Sequence, residues 1–420
     1  MLKFKFFFII LQAAFILVQC NKRSKPILER VMNSSNVAIQ KVVNQLKDHE
    51  VQILLTQVDL DSNSKLSLHS SSFQLDEENY FYPASAVKLP IVALALQKIR
   101  ELNSIGVNIS ANTPFEIRDS KGNSIQLNDS TQYKGELTIA HLIKKIFLVS
   151  DNNAYNYLFD FLGRDYINYE LKAKGLENTK IFHKFLLGSD NTATWGYTFL
   201  DSSGESLYHQ NSIFSKFKEQ NLNLKGIIKG KGFIEKGILV PKPMDFKTKN
   251  RISLLDLEGI LMRLIFPEIF STNQQFGLQN EDYEFLRFWM SRSTLESSSP
   301  NYNNGEYWDS YGKFFIYGDQ KGEMSEQIRI YNKVGYAYGT LTDVAYIHDE
   351  ESDLKFFLTA TVLVNKNKIF NDDNYEYETV GIPFLARLGA LVLEVLKLDK
   401  ALASNQTKDN IIDFVKIPLQ

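Results

Sequence analysis

The run from Ile91 to Leu102 constrains this chain more than any other stretch. It follows Tyr82-Pro83-Ala84-Ser85-Ala86-Val87-Lys88-Leu89-Pro90 and is apolar on nearly every side. A helix apolar all round is stable only when other elements enclose it, so this one belongs at the centre of the fold. Chemistry enters at its N-terminal end. With Ser85 opening the helix, Lys88 lies one turn along on the same face, where hydroxyl and ammonium can touch. The helix start adds partial positive charge and unpaired backbone N–H groups at the serine. A buried lysine loses its charge readily and then acts as a base. Together these make an activated serine nucleophile. The competing reading is an N-cap serine with a lysine that snorkels to solvent. Spacing does not choose between them, because Ser62/Lys65, Ser215/Lys218, Ser310/Lys313 and Ser352/Lys355 repeat it. Only Ser85 opens a long apolar helix.

The chain has 420 residues, enough for a large core in one domain or two. Its net charge of −2 leaves no basic footprint for nucleic acid, and 30 Phe with 20 Tyr argue against a disordered chain. Lys3 and Lys5 precede an apolar run, Phe6 to Val18, that is too short to span a bilayer, so residues 1–20 read as a targeting signal. The only cysteine, Cys20, follows Leu17-Val18-Gln19, and no disulfide can form within the chain. This resembles a bacterial lipoprotein signal, in which the cysteine is lipidated and becomes the mature N-terminus. Gln19 departs from it, since a small residue is usual there. The resemblance implies a membrane tether through a lipid on Cys20, with Asn21 to Lys25 as a polar spacer. The alternative is an ordinary secretory signal. Both imply an exported protein of the periplasm or cell envelope.

Along the chain, apolar spacing predicts a helix over Ile27 to Leu46. Val51 to Leu60 reads as a strand, with Leu66 to Phe73 its hairpin partner across a polar turn. Asn103 to Gly135 is polar and loop-rich. Leu137 to Val149 is amphipathic, with Thr138 as cap, and Tyr155 to Leu162 is helical up to Gly163. Trp195 to Lys249 is irregular and holds Gly226, Gly230, Gly232 and Gly237 among lysines. It lacks the closing G-K-[ST] of a phosphate loop and reads as an extended surface insertion. Leu254 to Phe266 and Tyr283 to Met290 look helical. Strands are expected at Phe314–Tyr317, Ile328–Lys333, Thr340–Ile347 and Phe356–Val364, then a helix from about Pro383 to Leu398 and a frayed tail from Ala401. Strands at both ends and helices between predict an α+β fold, one antiparallel sheet assembled from both ends of the chain around a helical region. The expected division is a sheet part over 27–80 and 305–398, a helical part over 81–304 with the 195–249 insertion, and a 401–420 tail.

Two further stretches carry chemistry. Ser150-Asp151-Asn152 sits between two helices and offers a hydroxyl to pass a proton and an amide to hold a carbonyl. Ser189-Asp190-Asn191 repeats the triplet without a helix before it, and either triplet also reads as a helix cap. Lys333-Val334-Gly335 ends a strand-like run, where glycine lets backbone approach a ligand closely and lysine adds positive charge. By itself it reads first as a lysine at the end of a hairpin.

In this order the three stretches resemble the class A β-lactamases and the wider penicillin-recognising serine hydrolases, marked by S-x-x-K, S-D-N and K-[ST]-G. Phe81 to Pro90 looks like their nucleophile helix start, and Ser150-Asp151-Asn152-x-Ala154-x-Asn156-x-Leu158 like their second motif and its helix. Arg251 to Glu268 and Tyr283 to Ser293 look like their late helices, and Lys333 to Asn365 like the third motif and last strands. The resemblance spans about Ile27 to Leu398 and implies a β-lactamase/transpeptidase-like fold. Two departures stand out. Val334 replaces the usual hydroxyl residue and removes one hydrogen bond to a β-lactam carboxylate. The family's deacylating glutamate has no counterpart in Thr179-Lys180-Ile181-Phe182-His183-Lys184-Phe185-Leu186, where His183 is the one candidate for a substitute base.

The resemblance implies that Ser85 attacks an amide carbonyl with Lys88 as base and Ser150 as proton relay. Asn152 would position the acyl side chain, and Lys333 would draw the substrate carboxylate. Gly335 allows close approach, and the N–H groups of Ser85 and Tyr336 would form the oxyanion hole. No metal or other cofactor is called for, and Asn371-Asp372-Asp373 lacks histidines and reads as a solvated loop. The implied substrate is a small-molecule β-lactam or a related amide. The alternatives are a D,D-peptidase on peptidoglycan or an esterase using the same serine, and a non-catalytic envelope binding protein. If His183 is the base, turnover falls below about pH 6 as the imidazole charges.

Overall fold

The computed structural model describes residues 25–60, 65–119, 122–125, 129, 131, 135–185, 190–216 and 224–415, with side chains up to 404. The targeting segment and Cys20 lie outside the described residues. The expected helix over 27–46 is broken into α1 (Ile27–Met32), α2 (Val37–Val43) and α3 (Leu46–His49). The break comes at Asn36, whose side chain accepts from the N–H groups of Ala38 and Ile39 and starts a new helix. The hairpin β1 (Gln52–Leu60) and β2 (Leu66–Phe73) follows as expected. A 3₁₀ turn, Ala84–Val87, then runs into α4 (Lys88–Ser104).

After the short strands β3 (Phe115–Arg118) and β4 (Ser124–Ile125) comes α5 (Ile139–Val149), capped by the Thr138 hydroxyl accepting from His141 N–H. Helices α6 (Asn152–Leu162) and α7 (Arg164–Ala173) are separated by Gly163 at φ 78°. The 195–249 segment forms β5 (Gly196–Leu200), β6 (Ser206–Gln210), β7 (Ile228–Lys229), β8 (Gly232–Glu235), β9 (Ile238–Val240) and β10 (Met244–Asp245). Then come α8 (Leu254–Ile265), α9 (Asn280–Ser291), β11 (Ile328–Ala337), β12 (Thr340–Asp349), β13 (Leu354–Leu363), β14 (Ile369–Phe370) and α10 (Ile382–Val415).

The main sheet has the order β11-β12-β13-β1-β2, antiparallel throughout, so strands from both ends of the chain meet at the β13–β1 pair. This is the architecture the sequence predicts. Side chains alternate across it: Leu54 and Val58 join the core toward α4 and α8, while Ile53 and Leu55 join the core toward α1, α2 and α10. From Leu89 through Leu96 every residue of α4 is buried, as a helix without a polar face requires.

Several boundaries differ from expectation. The 195–249 segment lies at the surface over much of its described length, yet parts of it enter the core. Its β5 pairs with β3 and buries Tyr197 and Phe199 in the main core, and Ile227 and Phe246 pack with Tyr80, Tyr82, Ala84, Phe182 and Phe370. Phe314–Tyr317 is a turn and not a strand: Ile316 has φ 70°, and Ile316 N–H bonds Ala386 C=O, outside any ladder. Lys333 is not at a strand end, because β11 continues to Ala337 before the Tyr338-Gly339 turn. The closing helix does not stop near Leu398 but continues to Val415, so 401–415 is helix. The Tyr377–Ser404 stretch is apolar and long enough to cross a bilayer, yet 56% of its most apolar window is buried inside the protein, as in a core helix.

One buried carboxyl fastens the helical part to the sheet. Glu258 on α8 accepts from Thr56 Oγ1 on β1 at 2.7 Å and from Thr359 Oγ1 on β13 at 2.7 Å. Burial pushes its pKa from 4.5 up to about 7, with the two hydroxyls opposing. The folded state therefore holds this proton to higher pH than the unfolded chain. The stabilisation is full below pH 4.5 and is lost as pH rises toward 7, on the order of 3 kcal/mol in total. Urea unfolding at pH 5 and pH 7 is expected to show a gain at pH 5 for the native chain that Glu258→Gln lacks.

Candidate active site

The turn before α4 presents Ser85. Ala84 adopts φ 44°, a conformation uncommon for a side-chain-bearing residue, and Ser85 is left half-exposed among buried neighbours. The first hydrogen bond within the turn runs from Ala86 N–H to Pro83 C=O at 3.0 Å, which leaves Ser85 N–H without an acceptor inside the turn. One step on, Lys88 is 0% exposed, so it does not snorkel. Its Nζ donates to Asn152 Oδ1 at 2.7 Å, to Ser150 Oγ at 3.3 Å and to the Ser150 carbonyl. Burial lowers its pKa well below that of an ordinary lysine; the nearby Lys333 charge adds to this, and Asp151 opposes it.

Ser150 is the meeting point. It ends α5 in a left-handed conformation, φ 56°, with Asp151 capping α6 directly after it. Its Oγ accepts from Lys88 and, at 2.8 Å, from Lys333 Nζ, which also donates to Val334 C=O at 2.7 Å. Burial pushes the Lys333 pKa down to about 7, against the pull of Asp343 and with the charge of Lys313 adding. Two ammonium groups on one hydroxyl oxygen in a dry interior repel, so the pair favours holding one proton fewer. With two donors on its oxygen, the hydroxyl can direct its own proton to a third group.

A polar network underlies Lys333. Buried Lys313 Nζ donates to Met290 C=O, Ile330 C=O and Asn332 Oδ1 at 2.8–2.9 Å. Asn332 Nδ2 donates to Asp343 Oδ1 at 2.9 Å.

The register of β11 sets its free edge. The two-residue Tyr338-Gly339 turn makes Ala337↔Thr340 the closing hydrogen-bonded pair. Bonding alternates along an antiparallel pair, so Gly335↔Thr342 is bonded and Tyr336↔Leu341 is not. The backbone N–H and C=O of Tyr336 therefore point away from β12, toward the open edge. There, Gly335 lies against the serine turn so closely that a Cβ would stand 2.4 Å from Pro83 O, 2.6 Å from Ala86 N and 2.8 Å from Ser85 N.

A cleft of about 760 Å³ opens in front of Ser85, with Asn152 and Tyr336 on its walls. His183 also lines it, parallel to the Tyr82 ring at a centroid distance of 6.3 Å. Its Nδ1 lies 2.8 Å from Lys184 C=O, which places the proton on Nδ1, and among the described residues the buried Nε2 has no partner. Burial pushes the His183 pKa down to about 4, so the imidazole charges near pH 4 and not near 6. Beside it the Phe185 ring covers Lys88, with Nζ 5.2 Å from the ring centroid. Asn156 Oδ1 accepts from Phe185 N–H at 2.8 Å and fixes this segment. The buried Lys184–Asp160 pair at 2.9 Å holds its other side.

The structure thus joins Lys88 to Ser150 and Asn152, and Lys333 to Ser150, by hydrogen bonds and seats Gly335 against the Ser85 turn, while among the described residues no hydrogen bond joins Ser85 to Lys88. Of the second triplet, Asn191 lines the same cleft as Ser85 and accepts from Lys184 N–H at 2.9 Å. Ser62, Lys218 and Ser189 lie outside the described residues. Lys313 is structural, and Ser352 bonds Asp349 in a turn. Sequence reasoning missed Phe185 and the 195–249 contribution: Thr248 and Lys249 line the cleft, as do Tyr338, Tyr375 and Tyr377, and Asn371 and Asp373 of the expected solvated loop stand in its wall as well. It also missed Asp343, whose signal was a lone acid inside the apolar run of β12.

Residues 35–226 match the model of the Beta-lactamase enzyme family. No curated protein matches the chain. Among solved structures, the chain is similar to a class A beta-lactamase from Mycobacterium abscessus (15% identity, 86% of this chain and 99% of that one, TM-score 0.46). It is also similar to a beta lactamase from Xanthomonas campestris pv. campestris (14%, 86% and 100%, 0.45) and to PBP-A (14%, 86% and 93%, 0.46). The family match and the strand order together define a β-lactamase/transpeptidase-like fold.

Gly335→Ala tests the close approach of β11 to the serine turn. The added Cβ meets backbone atoms, which cannot rotate aside, so strand and turn must separate. The expected loss is about 1–3 kcal/mol of stability, read by denaturant unfolding.

Proposed function

We propose that this protein is a β-lactamase-like serine hydrolase that forms an acyl-enzyme on Ser85 from β-lactams or related amides. One observation carries the reading: a single hydroxyl, Ser150 Oγ, bridges two buried lysines, one of them a step along the helix from a strained, half-exposed serine. Neutral Lys88 takes the Ser85 proton as Oγ bonds to the carbonyl carbon and the carbonyl electron pair moves onto oxygen. The N–H groups of Ser85 and Tyr336 stabilise that oxyanion. As it collapses, the carbon–nitrogen bond breaks, and Ser150 passes a proton from the lysine pair to the departing nitrogen. Asn152 orients the acyl side chain, and Lys333 holds Ser150 in line. From Lys3, Lys5 and the apolar run before Cys20 we infer that this activity lies outside the cytoplasm, with a lipid on Cys20 as the tether.

Hydrolysis of the acyl-enzyme needs an activated water. Phe185 occupies the place over Lys88, and the described part of the 179–186 segment brings no carboxylate there. His183 is neutral above about pH 4 but weakly basic, and its acceptor nitrogen is buried. We therefore infer that acylation outpaces deacylation. The same observation favours a second reading, a peptidase on peptidoglycan or an esterase, whose natural acyl group leaves more readily than a β-lactam's.

Three outcomes test this. Ser85→Ala is expected to abolish labelling by a fluorophosphonate or a fluorescent penicillin, and Lys88→Ala to slow it by about 10²-fold or more, the scale of losing a positioned base. Labelling should rise with pH and level off well below the ordinary lysine range, because Lys88 is deprotonated early. Intact-mass measurement over time after penicillin is expected to show a persistent adduct; a deacylation rate about 10³-fold slower than an activated water gives corresponds to roughly 4 kcal/mol. Fast turnover that survives His183→Ala would overturn the slow-deacylation inference.

A further inference from the structure

We propose that Lys145 is a positioning residue of the site: it holds the Ser150 turn from behind through Asp151 and balances the Asp151 carboxylate beside Lys88. The proposal rests on the hydrolase reading of Ser85, Lys88 and Ser150. Lys145 stands one turn before the end of α5. Its neighbour Lys144 points elsewhere, with Nζ 4.6 Å from the Trp289 ring centroid and 3.4 Å from Ser299 C=O. Lys145 Nζ instead meets two carboxylates, Asp129 Oδ2 at 2.8 Å and Asp151 Oδ2 at 3.3 Å.

The grip on Asp151 is double. Lys145 C=O accepts from Asp151 N–H at 3.4 Å, while the ammonium pairs with the Asp151 carboxylate. Between the two residues lies Ser150 at φ 56°, a left-handed conformation uncommon for serine. The other Asp151 oxygen accepts from Ala154 N–H at 2.7 Å and starts α6. One side chain therefore ties the end of α5 to the start of α6, across the residue whose Oγ lies between Lys88 and Lys333. The side chains of Lys145, Asp129 and Asp151 are only 13%, 11% and 22% exposed, so solvent ions screen these pairs weakly.

The same contacts set the field at Lys88. Burial first, then the Lys333 charge, weaken its hold on a proton, and the Asp151 carboxylate works against both. Lys145 offsets that carboxylate. Burial pulls the Lys145 pKa down, but the Asp129 hydrogen bond and the Asp151 charge outweigh it, so Lys145 stays charged. Asp129 also meets His141 Nε2 at 3.3 Å and accepts from Thr131 Oγ1 at 2.5 Å. Burial opposes its ionisation, yet these bonds and Lys145 hold its carboxyl well below the usual range. Tyr157 and Tyr302 face the same two carboxylates and stay neutral, because burial and then those charges raise both phenols. Around Lys88 itself, Tyr155 and Phe185 present rings without charge. With Lys145 gone, two carboxylates behind Ser150 would lose their shared cation, and Lys88 would keep its proton to higher pH.

The test follows fluorophosphonate labelling of Ser85 against pH in the full chain, with urea unfolding as the check on the fold. Lys145→Met is expected to raise the midpoint of the pH profile by about 0.5 unit or more, and to slow labelling below it by about threefold or more. Lys145→Arg keeps the charge and is expected to restore both toward the native values. Asp129→Asn removes a carboxylate outside the cleft and is expected to move the midpoint the other way, to lower pH. An unmoved midpoint in Lys145→Met, or a Lys145→Arg variant no better than Lys145→Met, would overturn the assignment while leaving the hydrolase reading intact. Should Lys145→Met not fold, Asp129→Asn decides: a lower midpoint supports the assignment, and an unmoved or higher one overturns it. Absence of Ser85 labelling in the native chain would overturn the hydrolase reading, and the role of Lys145 with it.

Discussion

Two lysine side chains from opposite parts of the chain meet on one serine hydroxyl inside the protein, and the rest of the fold is arranged to make that contact possible. Removing an ammonium group from water costs several kcal/mol, and two together repel. The pair is stable only where hydrogen bonds compensate and one proton is given up. Lys88 has two side-chain oxygens and a carbonyl in reach, and Lys333 has Ser150 Oγ and Val334 C=O. The same desolvation that makes the arrangement costly lowers both pKa values. A lysine that gives up its proton more readily is thus a consequence of burial.

Three elements converge on that contact. The apolar helix α4 fixes Lys88, the left-handed end of α5 fixes Ser150, and β11 carries Lys333 at the edge of the sheet. An open strand edge invites pairing with another chain. Here the Ser85 turn sits against it at Gly335, and the unbonded backbone of Tyr336 becomes a resource of the site. Lys313, Asn332 and Asp343 keep this edge in place from below through hydrogen bonds of 2.8–2.9 Å.

The departures from the expected pattern gather around Lys88 and Ser150. Phe185 covers Lys88 with a ring, and His183 is turned by Lys184 C=O into a neutral, weakly basic tautomer. Val334 stands beside Trp308, Tyr311 and Phe314 in the cavity that Ser150 and Lys333 also line.

Local chemistry in the sequence was enough to determine much of this. The all-round apolarity of Ile91–Leu102 required a central helix, the cap at Thr138 started α5, and strands at both ends required a sheet closed between them. Those signals are readable because they depend on neighbours a few residues away. Tertiary structure decided what depends on distant partners. The 195–249 segment has no strong period, and its strands form because β3 and the Tyr80–Phe182 cluster supply partners. Phe314–Tyr317 has the composition of a strand but is pulled into a turn by Asp343 and Ala386. Whether Lys88 snorkels or is buried, and whether Ser150 meets it and Lys333 at once, are settled by packing between α4, α5 and β11, which no spacing within one segment encodes.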